Sequence, residues 1–552
     1  MLKRNKMKVL SLILATLVVG TTFVGCGKKD DASSTAKVEQ VVKYNLGAQP
    51  KTIDPGLNNS VEGGIVDVNA FEGLQNVDAN NKVTPGVAEK YEVSSDGTKY
   101  TFHLRKDAKW SDGKGVTAND FYYAWTRALA PETASDYAYQ LFYIKNGEAY
   151  NGGKAKVADV GIKVVDDYTL EVTLEAPTAY FLALTAFPTY FPVRKDIIEA
   201  NKEGWATDAK TFVSNGAYKM TEYAQKDHMT FVKSDSYWDK ANVKLEKIQY
   251  TLLDNETSAL NAFESGEIDA TDLLPAEQKQ SLIKDGKAKV YPYLGTYYYS
   301  INVTDKNVPA EVSKALKNVN VRKALSMAID RTAIVDNVTK GGEQPATSYV
   351  PKGIVDSAAK EFKNKDYIKT SADVEGAKKL LAEAGYPDGK NFPKLEIKYN
   401  TGQGHQNIAQ AIQEMWKKNL GIDVTLVNEE RKVQLDDLSK QNYMVCRTSW
   451  IADYNDPMTF VDMFVTGGGN NNPGYSNPEY DKLISVAKKE TDPAKRTDAM
   501  HKAEDILMAD APVIPIYYYT NVLALKNNIT DLQKSPLGFV YFRNTVVEAA
   551  SK

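Results

Sequence analysis

The residues that could do chemistry gather in one stretch, Arg447-Thr448-Ser449-Trp450-Ile451-Ala452-Asp453-Tyr454-Asn455-Asp456-Pro457. No amphipathic helix reads this way, because the apolar residues do not recur at intervals of three and four. Tyr443-Met444-Val445-Cys446 before it predicts a buried strand. Asn455-Asp456-Pro457 after it predicts a turn, with Pro457 biasing Asp456 away from the helical region. Charged and aromatic side chains thus stand where a strand leaves a sheet, and in open α/β sheets that is where ligands bind. A solvated loop around one buried Trp fits the same residues.

Other chemistry leaves no trace. There is no phosphate-cradling Gly loop followed by Lys, and no Gly-x-Ser-x-Gly elbow. The four His, at 103, 228, 405 and 501, have no His, Cys or carboxylate neighbour at metal-ligand spacing. Gly402-Gln403-Gly404-His405 is too short for a dinucleotide fingerprint. These gaps weigh against an enzyme, and neither a cofactor nor a metal is expected.

At 552 residues the chain exceeds the natural size of one core, so two or three domains are expected. Its 43% hydrophobic and 25% charged content are those of a soluble globular protein. A net charge of −3 gives no electrostatic case for nucleic acid. Tyr outnumbers Phe by 33 to 17, and tyrosine, with a large apolar face, a polar tip and two χ angles, suits a surface that must hold varied ligands.

Lys3, Arg4, Lys6 and Lys8 precede an apolar run from Val9 to Val19, too short to span a bilayer but right for a signal peptide over residues 1–25. Phe23-Val24-Gly25-Cys26 resembles the lipobox of bacterial lipoproteins, with Phe23 in place of the usual Leu. That resemblance makes Cys26 the lipidated first residue of the mature chain. Residues 26–39 read as a flexible tether, polar and without periodicity. The other cysteine, Cys446, then has no intramolecular partner and is expected to be a small core residue.

Along the chain, Gln40 to Leu46 predicts a strand and Ser60 to Leu74 a helix. Tyr91 to Leu104 predicts a hairpin, and Thr117 caps a helix with Phe121, Ala124, Trp125 and Leu129 inward. Val157 to Leu174 predicts strands turning at Asp166-Asp167, Leu245 to Tyr250 a strand, and Asn255 to Ser265 a helix stopped at Gly266. Val290 to Val303, with Tyr297-Tyr298-Tyr299, predicts a strand crossing between lobes. Asn320 to Asn337 predicts one helix and Val374 to Ala384 another. From 395 to 445 strands and helices alternate, which predicts an α/β lobe with a mixed sheet. Gly467 to Gly474 is expected to be exposed; a helix over Pro493 to Asp510 and a strand over Val513 to Tyr519 follow.

One ordered series of motifs resembles a family. It comprises Ile53-Asp54-Pro55, Phe71-Glu72-Gly73-Leu74, Trp110-Ser111-Asp112-Gly113, Val116-Thr117-Ala118-Asn119-Asp120-Phe121, Asn215-Gly216-Ala217-Tyr218, Ser265-Gly266-Glu267-Ile268-Asp269, Val321-Arg322-Lys323-Ala324-Leu325 and Ala452-Asp453-Tyr454. In this order, from about residue 40 to the C-terminus, the chain resembles the extracytoplasmic solute-binding proteins of peptide ABC transporters, of the oligopeptide-binding type. The resemblance implies an α/β fold of the two-lobed periplasmic-binding-protein kind (type II), with an additional domain inserted into the first lobe. It divides the chain into lobe I (40–75, 196–294 and 520–552), an inserted domain II (76–195) and lobe III (295–519). It implies a monomer, lipid-anchored through Cys26 on the extracytoplasmic face of the bacterial membrane, that encloses an oligopeptide and passes it to permease subunits of an ABC transporter. The peptide would lie as an added strand, held by its backbone, with wet pockets for its side chains.

The same resemblance assigns residues. Asp453 would pair with the peptide α-amino group and Trp450 would line a side-chain pocket. Arg447 would meet the far, carboxylate end, which His405 could also reach unless it is simply an exposed residue at a helix start. Tyr298 and Tyr137 would line the ligand. Some members pair two cysteines at the places held here by Gly295 and Ile451, so that cross-link is lost. A same-fold receptor for a non-peptide ligand and a peptide-pheromone sensor remain as alternatives.

Overall fold

In the computed structural model, residues 38–78 and 82–549 are described. The leader, Cys26 and the tether through residue 37 lie outside them. Among the described residues, eleven strands join into one sheet that runs through the body of residues 39–549. At one end Val424–Glu429 and Leu395–Asn400 run parallel, and Leu395–Asn400 is also parallel to Val445–Ile451. Val445–Ile451 then pairs antiparallel with Ala288–Ile301, and that strand with Val513–Leu525. At the other end Val41–Asn45 lies parallel to Lys247–Thr251, followed by His228–Lys233 and Tyr218–Ala224. The sheet is mixed, as the alternation over 395–445 predicts.

The two long central strands belong to both ends. Residues 288–292 pair with 520–524, and residues 296–300 with 513–518, with a register shift between Pro292 and Thr296. The expected long strand is present as Ala288–Ile301, and its partner Val513–Leu525 is thirteen residues long rather than stopping at Tyr519. A separate four-stranded antiparallel sheet, Ala88–Val93, Lys99–Leu104, Thr169–Thr173 and Ile162–Asp166, packs with helix Ala118–Leu129 inside the stretch expected as the insert. Thr117 is the N-cap, as predicted, and forms a capping box with Asp120; Phe121, Ala124, Trp125 and Leu129 are buried.

Several expectations need correction. The helix expected over 60–74 is Val61–Ala70, and Phe71 is extended. The reason lies far along the chain. Asn215 accepts from the Glu72 N–H (3.1 Å) and donates to its carbonyl (3.0 Å), capturing the backbone in extended form. The helix expected over 320–337 is broken into Val319–Met327 and Arg331–Ile334. Asp330 caps the second piece through the Ala333 N–H, while the buried Arg331 guanidinium donates to the Ser326, Ile329 and Pro515 carbonyls. One side chain thus terminates the first piece and ties it to the central strand. The stretch 467–474 is not wholly exposed: Asn471 is buried and donates to the Phe464, Val465 and Tyr475 carbonyls.

The strand before the chemical stretch also runs further than expected. It spans Val445–Ile451, so Arg447 and Trp450 sit within it rather than beyond its end. Gly295 opposes Ile451 across the ladder, and the Ala452 N–H still donates to the Leu294 carbonyl (2.8 Å). Ladder hydrogen bonds with a pre-existing central strand outweigh the missing apolar alternation. Cys446 is a free, buried core residue beside Leu438 and Tyr443, as expected. Burial pushes its thiol up to about 12.

Candidate functional site

The chain leaves its strand at Ala452 and turns into the short helix Met458–Val461. Thr459 organises that turn. Its hydroxyl oxygen accepts from the Asp453 N–H (3.2 Å) and from Trp450 Nε1 (3.4 Å), so two of the expected site residues share one anchor. Asp456 secures the turn's base. It accepts the Met458 N–H (2.9 Å) and takes both Arg496 guanidinium nitrogens, at 2.8 and 2.7 Å.

The Asp453 carboxylate is enclosed from the other side. Tyr137 Oη donates to Oδ1 (3.2 Å), and Tyr139 Oη (3.3 Å) and Gln140 Nε2 (2.6 Å) donate to Oδ2. The short 3-10 turn Ala138–Leu141 brings these three together, and Tyr190 Oη fixes it by donating to the Gln140 carbonyl (2.6 Å). The residue is only 8% exposed, and every one of these donors is neutral. Burial pushes the Asp453 carboxyl up to about 7, Asp462 adds to the rise, and the three hydrogen bonds oppose it. Burial and the Asp453 charge push the Tyr137 and Tyr139 hydroxyls up, so both remain donors. A buried carboxylate with neutral donors alone is suited to one more partner, a cation able to donate hydrogen bonds. Tyr454, next in sequence, stacks on Tyr180 at 4.7 Å, and its hydroxyl meets that of Tyr143 at 3.3 Å.

Arg447 lies at the other end of the same stretch, 5% exposed. Its Nη1 donates to Asn400 Oδ1 and its Nη2 to Tyr519 Oη, both at 3.0 Å, and it sits 4.5 Å from the centre of the Tyr297 ring. Its Nε is buried without a partner. His405 lies in the first turn of helix Gln403–Leu420, and its Nδ1 is 3.3 Å from Tyr297 Oη. It is half-buried, not an exposed helix-start residue. Burial, then Arg447 and Arg431, hold its pKa well below the usual value, so the ring is neutral at pH 7. This end gathers positive charge and donors, which suits an anion.

Of the expected residues, Asp453 and Tyr137 meet directly, Trp450 is joined to Asp453 through Thr459, and Arg447 and His405 gather around Tyr297. Tyr298 faces the opposite side of its strand. It is 1% exposed and packs edge-on against Tyr349 at 5.3 Å. Sequence reasoning missed Tyr139, Gln140, Tyr297 and Arg431. Tyr139 and Gln140 carry a signal only in hindsight of the 3-10 turn, whereas strand alternation places Tyr297 and Tyr298 on opposite faces.

The model for the middle part of the bacterial extracellular solute-binding proteins, family 5, matches residues 82–472. The chain is 42% identical over 554 residues to the oligopeptide-binding protein OppA of Bacillus subtilis (strain 168), covering 99% of each. The solved OppA of Haemophilus influenzae in complex with RPPGFSPFR has a TM-score of 0.82 and 34% identity, covering 93% of this chain and 99% of that one. The Escherichia coli murein tripeptide-binding protein MppA has a TM-score of 0.83 at 34% identity, covering 92% and 99%. For the unliganded open form of MppA the score is 0.68, covering 92% and 98%.

Proposed function

We propose a function from one premise: the chain belongs to the bacterial extracellular solute-binding proteins of family 5, of the oligopeptide-binding type. Such proteins are transport receptors rather than enzymes. The reading is that this chain encloses oligopeptides between its lobes. The observation that carries it is Asp453, buried among Tyr137, Tyr139 and Gln140 with no cationic partner among the described residues. A peptide α-ammonium supplies both the charge and the donors that this carboxylate lacks. Arg447, with His405 beside it, would receive the carboxylate of a short peptide. Trp450 would wall a side-chain pocket. Tyr298, on the same face of the sheet as Trp450, would line the ligand.

Arg447 and Asp453 are six residues apart, at most about 20 Å between their Cα atoms in an extended chain, which suits a short peptide held at both termini. The backbone of the ligand would supply the shared affinity and water-filled pockets the tolerance for side chains. The boundaries 40–75, 196–294 and 520–552 for one lobe, 76–195 for the insert and 295–519 for the other are part of this reading. So are the lipid on Cys26, monomeric delivery to an ABC permease, and an extracytoplasmic location, for which the leader and Phe23-Val24-Gly25-Cys26 are the support. Among the described residues no helix is long and apolar enough to cross a membrane.

Calorimetry on the full chain in detergent, with oligopeptides and their N-acetylated counterparts, tests the core of the reading. Binding of free peptides and a large loss on acetylation is expected. Equal binding of both sinks the Asp453 assignment, and binding of neither sinks the peptide reading. Loss of labelled palmitate on Cys26→Ser tests the anchor.

A further inference from the structure

The anion end of the cleft holds a second arginine. Arg431 opens helix Arg431–Lys440, and its Nη1 donates to Gln434 Oε1 at 2.6 Å. Gln434 Nε2 in turn donates to the Arg447 carbonyl at 2.5 Å, so one glutamine ties the two arginines together. The partners of both guanidiniums are neutral: Gln434 for Arg431, and Asn400, Tyr519 and the Tyr297 ring for Arg447. Elsewhere the buried arginines are compensated. Arg127 pairs with Asp54, Arg194 with Asp112 and Asp196, and Arg496 with Asp456. Arg322 and Arg331 are instead saturated by backbone carbonyls.

Arg431 combines two properties that rarely go together. Its residue surface is exposed, yet burial and the Arg447 charge push its guanidinium down to about 10. The carboxylate that acts on it most is Glu62 on helix Val61–Ala70, whose own carboxyl burial holds above its usual range. Two guanidiniums, one of them with a buried donor unused, exceed what one ligand carboxylate can satisfy.

We propose, resting on the peptide-receptor reading, that Arg431 is a specificity-determining residue. Together with Arg447 it selects peptides whose carboxyl end carries a second carboxylate, an Asp or Glu side chain beside the terminal one. Each arginine takes one carboxylate, and a neutral side chain in that place leaves Arg431 with only its neutral hydrogen-bond partner Gln434.

The test is calorimetry of the full chain in detergent with alanine tri-, tetra- and pentapeptides ending in Glu, Gln or Ala. The wild type should bind the Glu-ended peptides at least tenfold tighter than their Gln-ended isosteres. Arg431→Gln should bring that ratio close to one, and Arg431→Lys should keep part of it, with circular dichroism confirming the fold of each variant. Equal wild-type affinity for Glu- and Gln-ended peptides overturns the proposal while leaving the receptor reading intact, as does a ratio that survives in Arg431→Gln. If Arg431→Gln fails to fold, the wild-type ratio and Arg431→Lys decide between the same two outcomes. No binding of any peptide to the wild type overturns both.

Discussion

Asp453 and Asp456 stand three residues apart on one turn, both buried, and they do opposite jobs. Asp456 grips Arg496 through two hydrogen bonds, with the two side chains 5% and 4% exposed, and accepts the Met458 N–H at the start of the helix that follows. Its charge is spent inside the fold. Asp453 has only hydroxyls and an amide as donors, and its charge is left for something else. The contrast teaches that burial of a carboxylate does not reveal its role. What separates structure from function here is whether the protein supplies the opposite charge.

The contrast can be broken most severely at Asp456. Asp456→Asn strands the buried Arg496 guanidinium, and should cost about 3–5 kcal/mol of stability. Denaturant unfolding of the ligand-free protein measures it, and a double replacement, Asp456→Leu with Arg496→Met, should recover most of the loss. If the single variant is as stable as wild type, the pair is not the turn's anchor.

Asp453→Asn should do the reverse. Peptide affinity should fall by about 2–5 kcal/mol, since the ligand ammonium loses its partner. Stability of the ligand-free protein at pH 8 should hold or rise. A drop in affinity under tenfold would place the amino group in solvent.

The pH dependence sharpens the comparison further. With its folded value raised to about 7, Asp453 contributes stability that is fully present below its unfolded pKa of about 3.9 and is lost as pH rises through 7. Glu504, raised to about 7 by burial against its two backbone hydrogen bonds, acts in the same direction. Ligand-free protein should therefore lose stability between about pH 4 and 7, and Asp453→Asn should remove part of that slope. Peptide binding should run the other way, weakening about tenfold per unit below pH 7, because the carboxyl must lose its proton to hold an ammonium. Affinity flat from pH 5 to 7 would mean that Asp453 is already ionised before ligand arrives.

The smallest effect is expected at the neutral donors. Tyr137→Phe or Tyr139→Phe removes one hydrogen bond to Asp453, about 0.5–1.5 kcal/mol, and should change affinity only a few-fold. Stability curves and binding isotherms of the two variants against Asp453→Asn would rank the three.

Much of this protein is written in local sequence. The hairpin at 88–104, the Thr117 capping box, the helix stopped at Gly266 and the alternating strands and helices from 395 all follow from turn chemistry, caps and periodicity, which act over a few residues. The order of motifs over the chain carried the family, and with it Asp453, Arg447 and Trp450. What the tertiary structure alone decided involves partners distant in sequence. Asn215 ends a helix at Ala70, Arg331 breaks another, and Gly295 draws Ile451 into a strand that no alternation announces. Tyr139 and Gln140 reach Asp453 across more than three hundred residues, and Gln434 ties Arg431 to Arg447. The reason is physical. A side chain's type is local, but its charge balance depends on which opposite charges the folded chain brings within reach.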